Sequence, residues 1–442
     1  MLSLAIIGIA GCGGTGGGTS TPRGGSTSVA MQVSLSDAPA DQLLSLQLTI
    51  NSIVLTSTSG ATAGILPAAT TVEVSHLQAT AQPVSEVTVP QGTYTGATVS
   101  ISNVTAVYVN LSGQIAQANF SGAFNVPVTF SPNLIVGTSA LALNLDLNLA
   151  QSLQSLASGG FVPVMTPTIN NVPAPSQQEE GTGGVHDLTG IVTSVGSSSF
   201  ALAVRQAATS LTIVVNSSTQ LTGVSGLSGL AAGDIVEVDA AMQSDGTLLA
   251  SKVEVEVGVK QEAEGVVVSR TAGSGSTPNT FTVAVQNSAG TGAPSPGTLV
   301  SVGADNTTTF VLPSDEASLS GLPFTPAFSS FANLAVGQRV EVRTTSDFAA
   351  IVATVKLGLQ ALSGTPTSQN VNQYTLTLPV TGDSAFHLLT GATSIDFIVQ
   401  QPGTEFKGLT SVALSIPVHV RGLLLFDASS GRYKLVATRI TP

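Results

Sequence analysis

The sequence predicts an all-β fold, with an N-terminal β-sandwich followed by three small β-barrels. Three observations lead to it. Apolar and polar residues alternate with period two: Leu44, Leu46, Leu48 and Ile50 interleave with Ser45, Gln47 and Thr49, giving a strand one apolar face. Turn residues punctuate the alternating runs, as in Asp37-Ala38-Pro39, Thr58-Ser59-Gly60 and Pro90-Gln91-Gly92. From Leu188 onward, one strand-turn unit recurs three times.

The chain has 442 residues, of which 42% are hydrophobic and 9% charged, with a formal net charge of −12. This supplies enough apolar sequence for several cores, and Ser, Thr, Asn and Gln must cover the exposed faces. The negative charge opposes nonspecific binding to nucleic acid. Trp is absent and Tyr numbers four, so rings on which bases or sugars stack are scarce. With one cysteine, no intramolecular disulfide can form.

That cysteine, Cys12, ends the apolar run Leu4-Ala5-Ile6-Ile7-Gly8-Ile9-Ala10-Gly11. The run is too short to span a bilayer, which takes about 20 apolar residues. Its close, Ile9-Ala10-Gly11-Cys12, resembles the lipobox of bacterial lipoproteins. The resemblance implies that residues 1–11 are a signal segment and that Cys12 receives a diacylglycerol thioether. The protein would then be exported to the bacterial cell envelope and held to a membrane through this lipid anchor. Gly13, standing where an acidic residue would signal inner-membrane retention, implies the outer membrane. Met1-Leu2-Ser3 lacks the basic start of a signal peptide, so the true start codon is expected upstream. Residues 12–28 read as a flexible Gly/Ser/Thr tether, with a reach of roughly 20–24 Å. The match of residues 11–16 to G-x-G-x-x-G has no strand and helix around it, and glycine abundance explains it.

The sandwich domain is expected over residues 29–170. Alternation returns at Val72-Glu73-Val74 and through 141–149, and helical spacing occurs briefly at Leu149, Leu153 and Leu156. Val33-Ser34-Leu35-Ser36-Asp37-Ala38-Pro39-Ala40, Val89-Pro90-Gln91-Gly92-Thr93-Tyr94, Leu143-Asn144-Leu145-Asp146-Leu147 and Pro167-Thr168-Ile169 resemble, in order, motifs of the bacterial lipoprotein family called domain of unknown function 4382. That family has no assigned activity and often follows a lipobox. Residues 171–187, with Val172-Pro173-Ala174-Pro175 and then Gly181-Thr182-Gly183-Gly184, read as a linker.

The three repeats are expected over 188–258, 259–358 and 359–442. Each opens on a glycine-bearing strand: Gly190-Ile191-Val192, Gly265-Val266-Val267 and Leu362-Ser363-Gly364. An alternating strand follows, beginning at Phe200, Phe281 or Tyr374. A turn then feeds another strand, at Leu230-Ala231-Ala232-Gly233, Leu334-Ala335-Val336-Gly337 and Leu414-Ser415-Ile416-Pro417, the last with proline in place of glycine. A last alternating strand closes each copy. Five or so short strands with a glycine at a corner suit a small closed barrel of OB-like type. The first copy resembles domain of unknown function family 5666, common in exported bacterial proteins. The second copy carries extra chain, expected as loops at 288–297 and 314–331.

No catalytic, cofactor-binding or metal site is expected. His76, His186, His387 and His419 have no ligand partner at metal spacing. Asn144-Leu145-Asp146-Leu147-Asn148 lacks the Gly and Glu of a calcium loop and reads as the polar outer face of a strand. Asp37 reads as a turn residue. Glu179-Glu180, placed in the linker, is a poor carboxylate pair for glycoside hydrolysis. In the first barrel, Arg205 and Lys252 stand against Asp234, Glu237, Asp239, Asp245, Glu254 and Glu256, the wrong balance for a phosphate groove. The expectation is a lipid-anchored envelope protein with a binding, adhesion or structural role and no catalytic activity. Its partner would be an envelope protein or a glycan. The alternatives are an envelope hydrolase acting on polysaccharide or peptide, or a non-catalytic subunit of an envelope assembly.

Overall fold

Period-two alternation forms strands that stack into a sandwich, then coil into barrels. The computed structural model describes residues 27–442, apart from 39–40, 78–79, 156–159, 206, 276, 315, 349 and 380–383. The expected signal segment and Cys12 lie outside the described residues. Among those residues, no helix is long and apolar enough to cross a membrane.

The sandwich packs two sheets. In the first, Ser28–Ala38 lies between Ala81–Pro90, antiparallel, and Leu141–Asn148, parallel, with Met165–Asn171 at the edge. The second pairs Leu43–Ser57 with Gly92–Val109, which pairs in turn with the long Ile115–Val136. Met31, Val33 and Leu35 of the first sheet face Leu46, Leu48, Ile50 and Val99 of the second in one core. Of the residues with helical spacing, Leu149 opens a single turn, Leu149–Ser152, capped by Asn148, whose Oδ1 accepts from the Gln151 amide at 2.9 Å; Leu153 begins a strand, and Leu156 lies outside the described residues.

The three repeats have one topology. In the first, strands Gly184–Val195, Ser199–Ala203, Leu211–Val214, Ile235–Met242 and Leu248–Val255 are arranged 3-2-1-4-5, and the third closes on the fifth in parallel. The third repeat does the same with Leu359–Asn370, Gln373–Thr377, Ser394–Val399, Val418–Asp427 and Arg432–Thr441. In the second repeat, Gln261–Thr271, Asn279–Gly290, Leu299–Ala304, Arg339–Thr344 and Thr354–Leu357 follow this order, and the seam closes through a bridge between Gly303 and Ile351. Each barrel adds a short strand parallel to its fifth: Gln220–Thr222, Thr309–Val311 or Glu405–Phe406.

The recurring glycine has a steric cause. A Cβ on Gly190, Gly265 or Gly364 would lie 2.8, 2.0 or 2.5 Å from a carbonyl oxygen of the neighbouring second strand. First and second strands can therefore cross closely at the barrel corner only without a side chain there. In the turn before the fourth strand, Gly233 and Gly337 hold positive φ of 100° and 86°. In the third repeat that position belongs to Ser415 (φ 67°), not to Pro417 as the sequence motif suggests: its amide donates to the Pro366 carbonyl as those of Gly233 and Gly337 donate to Val192 and Val267. The third copy thus keeps both the turn and the strand order, with a non-glycine residue in the left-handed conformation.

Candidate functional site

The domains meet on the outer faces of barrel strands 1, 4 and 5, where ion pairs join one domain to another. The pattern is readable across the repeats. Glu237, Glu341 and His419 occupy one position, each between two buried fourth-strand valines. Across the ladder they face Thr189, Glu264 and Ser363 of the first strands.

In the second barrel, Arg343 is surrounded by Glu341, Glu262 and Glu256, the last contributed by the first barrel. Burial works against this guanidinium, but Glu341, Glu262 and Glu256 outweigh it and hold its pKa up. Burial, with Glu341 beside it, pushes Glu262 well above the usual carboxyl range. Lys356 bridges Glu316 at 2.7 Å and Glu237 of the first barrel at 3.7 Å. Burial raises Glu237 to about 8, against the pull of Lys356, and raises Glu316 to about 7. Arg439 of the third barrel joins Glu180 at 3.0 Å and Glu405 at 2.6 Å. Burial alone would raise Glu180, but Arg439 and Arg421 hold it low. Lys407 pairs with Glu179 at 3.1 Å.

Residues 171–187 are therefore not free chain. Gly184 to Asp187 belong to the first barrel strand. Gln178 donates to the Met242 carbonyl at 2.6 Å, and Glu179 and Glu180 bind the third barrel. Apolar contacts complete the junction. Leu423, Leu425 and Val436 of the third barrel belong to the core of the second. Leu44, Val107, Ala284 and Ala385, from three domains, form a small core of their own.

Among the cavities of the described residues, two are lined by these charges. A central one, about 110 Å³, is lined by His76, Asp187, Glu237, Glu262, Arg339 and Arg421 among others. The second, about 470 Å³, lies between the outer face of the first sandwich sheet, the 179–182 segment and the third barrel. On its sandwich wall, Asn144 Nδ2 donates to Ser36 Oγ at 2.8 Å, and Ser36 Oγ donates to Asp146 Oδ1 at 2.8 Å. Asp37 also lines this cleft and is 4% exposed. Its pKa stands well above the usual range, through burial first and then Asp146.

The histidines fall in separate places. His76 Nδ1 lies 2.8 Å from Glu73 Oε2, and its Nε2 lies 3.0 Å from Gln82 Oε1. His186 is half exposed beside Asp239, and His387 Nδ1 donates to the Ala392 carbonyl at 2.9 Å. His419 Nδ1 lies 2.7 Å from Ser363 Oγ, and burial pushes this imidazole down. Among the described residues, no group of three or more His, Cys, Asp or Glu is placed to hold a metal ion.

Sequence reading missed the Ser363–His419 pair and the placement of Ser36 beside Asp146, because each joins residues far apart in the chain. One signal was present. In a chain that is 9% charged, charged residues alternate with valines at one position of successive repeats. They mark a face that meets other charges rather than water.

Among solved structures, a multidomain protein with nucleic acid binding domains from Streptococcus pneumoniae aligns at 11% identity over 57% of this chain and 72% of its own, with a TM-score of 0.13. Drosophila Unr CSD456 aligns at 12% identity over 56% and 94%, also with a TM-score of 0.13. Scores this low have no bearing on function. No curated protein matches the sequence. Family models agree with the sequence motifs: residues 28–162 match the DUF4382 model and residues 189–254 the DUF5666 model, both described as domains of unknown function.

Proposed function

We propose that this chain is a non-catalytic, lipid-anchored protein of the bacterial cell envelope with a binding or structural role. The observation that supports this best is the use made of the junction charges. Arg343, Lys356 and Arg439 each bind carboxylates from a second segment or domain. Such groups fix domains in place, and buried pairs of this kind are costly to break. The outer face of strands 2 and 3 in the first barrel, where OB-type barrels bind chains of bases or sugars, presents Ser199, Ala201, Ala203, Thr212 and Val214. These residues offer no ring and no cation to nucleic acid.

The anchor rests on the lipobox at Cys12 and the tether that leads to the first strand at Ser28. Labelling with radioactive palmitate, followed by membrane fractionation, tests it. The wild type is expected in the membrane fraction with label, and Cys12→Ala without label. Unlabelled wild type, or wild type in the cytoplasm, would overturn the proposal.

One observation favours a second reading, an envelope hydrolase. Ser363 and His419 lie at the distance of a nucleophile and its base. Against it, Asp41 accepts from the Ser363 amide at 3.1 Å and so lies on the serine side, not behind the imidazole as in a triad. A fluorophosphonate probe decides between them. We expect no labelling; labelling that disappears in Ser363→Ala would establish the hydrolase.

A further inference from the structure

Arg343 and Arg421 hold the same position in the second and third barrels, on the fourth strand opposite residues 262 and 361 of the first. Their surroundings differ. Arg343 is ringed by Glu256, Glu262 and Glu341. Around Arg421, the strand register and the equivalent turn bonds put Gly358, Ala361 and His419 at those three positions. The third barrel thus keeps the arginine and loses each carboxylate that neutralises it. Among the described residues, no side chain and no carbonyl pairs with the Arg421 guanidinium. Burial lowers its pKa. Glu180, already bound to Arg439, attracts it from beyond ion-pair distance, as does Asp187, while Arg339 and Arg439 repel it. A largely buried charge without a partner is costly. The missing side chains also leave space. Ala361 lines a cavity of about 60 Å³, Gly358 lines the central one of about 110 Å³, and Arg421 lines both.

We propose that Arg421 binds a small monocarboxylate, held in the space that glutamates fill around Arg343. A planar guanidinium offers two parallel N–H donors, which a carboxylate accepts as a pair and a halide does not. A dianion such as phosphate would meet Glu264 and Asp187, which line the same central cavity. A single negative charge balances the guanidinium without adding to theirs. At about 30 Å³ for each water, the two cavities admit a ligand of only a few heavy atoms. Short-chain acids such as acetate and propionate have this chemistry. The assignment rests on the reading of the chain as a binding protein and gives it a ligand class.

Calorimetric titration of the full chain with sodium acetate and with sodium chloride, at pH 7 and an ionic strength held by a bulky sulfonate buffer, tests it. Acetate is expected to bind with a Kd below about 10 mM and chloride at least tenfold more weakly. Arg421→Met keeps the apolar stem and removes an unpaired charge. Without acetate it is expected to hold or raise the Tm, whereas Arg343→Met strands three carboxylates and lowers it. Acetate binding should be lost in Arg421→Met. Ala361→Glu restores the carboxylate that Glu262 presents to Arg343, and is expected to raise the Tm and abolish acetate binding. Absence of saturable acetate binding, chloride binding as tight as acetate, or acetate binding unchanged in Arg421→Met would overturn the assignment. So would a Tm that falls as far in Arg421→Met as in Arg343→Met without acetate, since the guanidinium would then already be paired. None of these results would touch the anchor or the absence of catalysis, which palmitate and fluorophosphonate labelling read separately.

Discussion

Raising the pH from 5 to 8 should destabilise the joined first and second barrels. Burial holds Glu237 at about 8 and Glu256 and Glu316 at about 7, against an ordinary 4.5. Across this window the unfolded chain has released these protons while the folded chain still holds them. The folded state therefore binds more protons, and stability falls as pH rises through the folded values. One pKa unit corresponds to about 1.4 kcal/mol, so Glu316 alone would account for about 3 kcal/mol. The three carboxyls share Lys356 and Arg343 and are not additive, and we take about 3 kcal/mol for the set. For a cooperative unit of roughly 170 residues, with an unfolding entropy of about 0.36 kcal/mol/K, this is a fall in Tm of about 8 °C. Carboxyls held low, such as Glu180 and Glu264, lose their contribution only below pH 4.5 and do not act in this window. His419, lowered by burial, opposes the trend as a single group. Thermal unfolding followed by circular dichroism at pH 5, 6, 7 and 8 reads the effect, and Glu316→Gln should flatten it. A Tm that is level or rises from pH 5 to 8 would refute the reasoning.

Other consequences are open to simpler tests. Gly265→Ala forces a Cβ to 2.0 Å from the Ala284 carbonyl oxygen and should cost about 3 kcal/mol or more in denaturant unfolding. Gly190→Ala, at 2.8 Å, should cost less. Leu423→Ala opens a cavity in a core shared by two barrels, so a loss of about 2–5 kcal/mol should appear in probes of both. Lys356→Met leaves Glu316 and Glu237 without their cation; it should cost about 3 kcal/mol at pH 8 and visibly less at pH 5, where the carboxyls are protonated.

Much of the architecture was legible because strand alternation and corner glycines are local signals. Leu46, Leu48 and Ile50 announce a buried face in a short window, and all three are fully buried. Gly190, Gly265 and Gly364 mark the repeats because a backbone crossing excludes any side chain there. The cleft was not legible. Asp37 reads as a turn residue beside Pro39, and Asp146 as one polar residue on an outer face. The parallel pairing of 31–38 with 141–148 sets Ser36 beside Asp146 on that outer face and Asp37 beside Leu147 on the core side. The 171–187 segment has the composition of a linker, yet Glu179 and Glu180 find cations more than 220 residues away. Proline and glycine content reports backbone stiffness, not the partners that side chains meet.

The central claim is that the junction charges hold the domains to one another. A double-mutant cycle on Arg343→Met and Glu256→Gln, which joins the second barrel to the first, tests it most directly. Measured by denaturant unfolding at pH 8, the coupling energy is expected at about 1.5 kcal/mol or more. Additive effects of the two substitutions, with no coupling, would contradict the account.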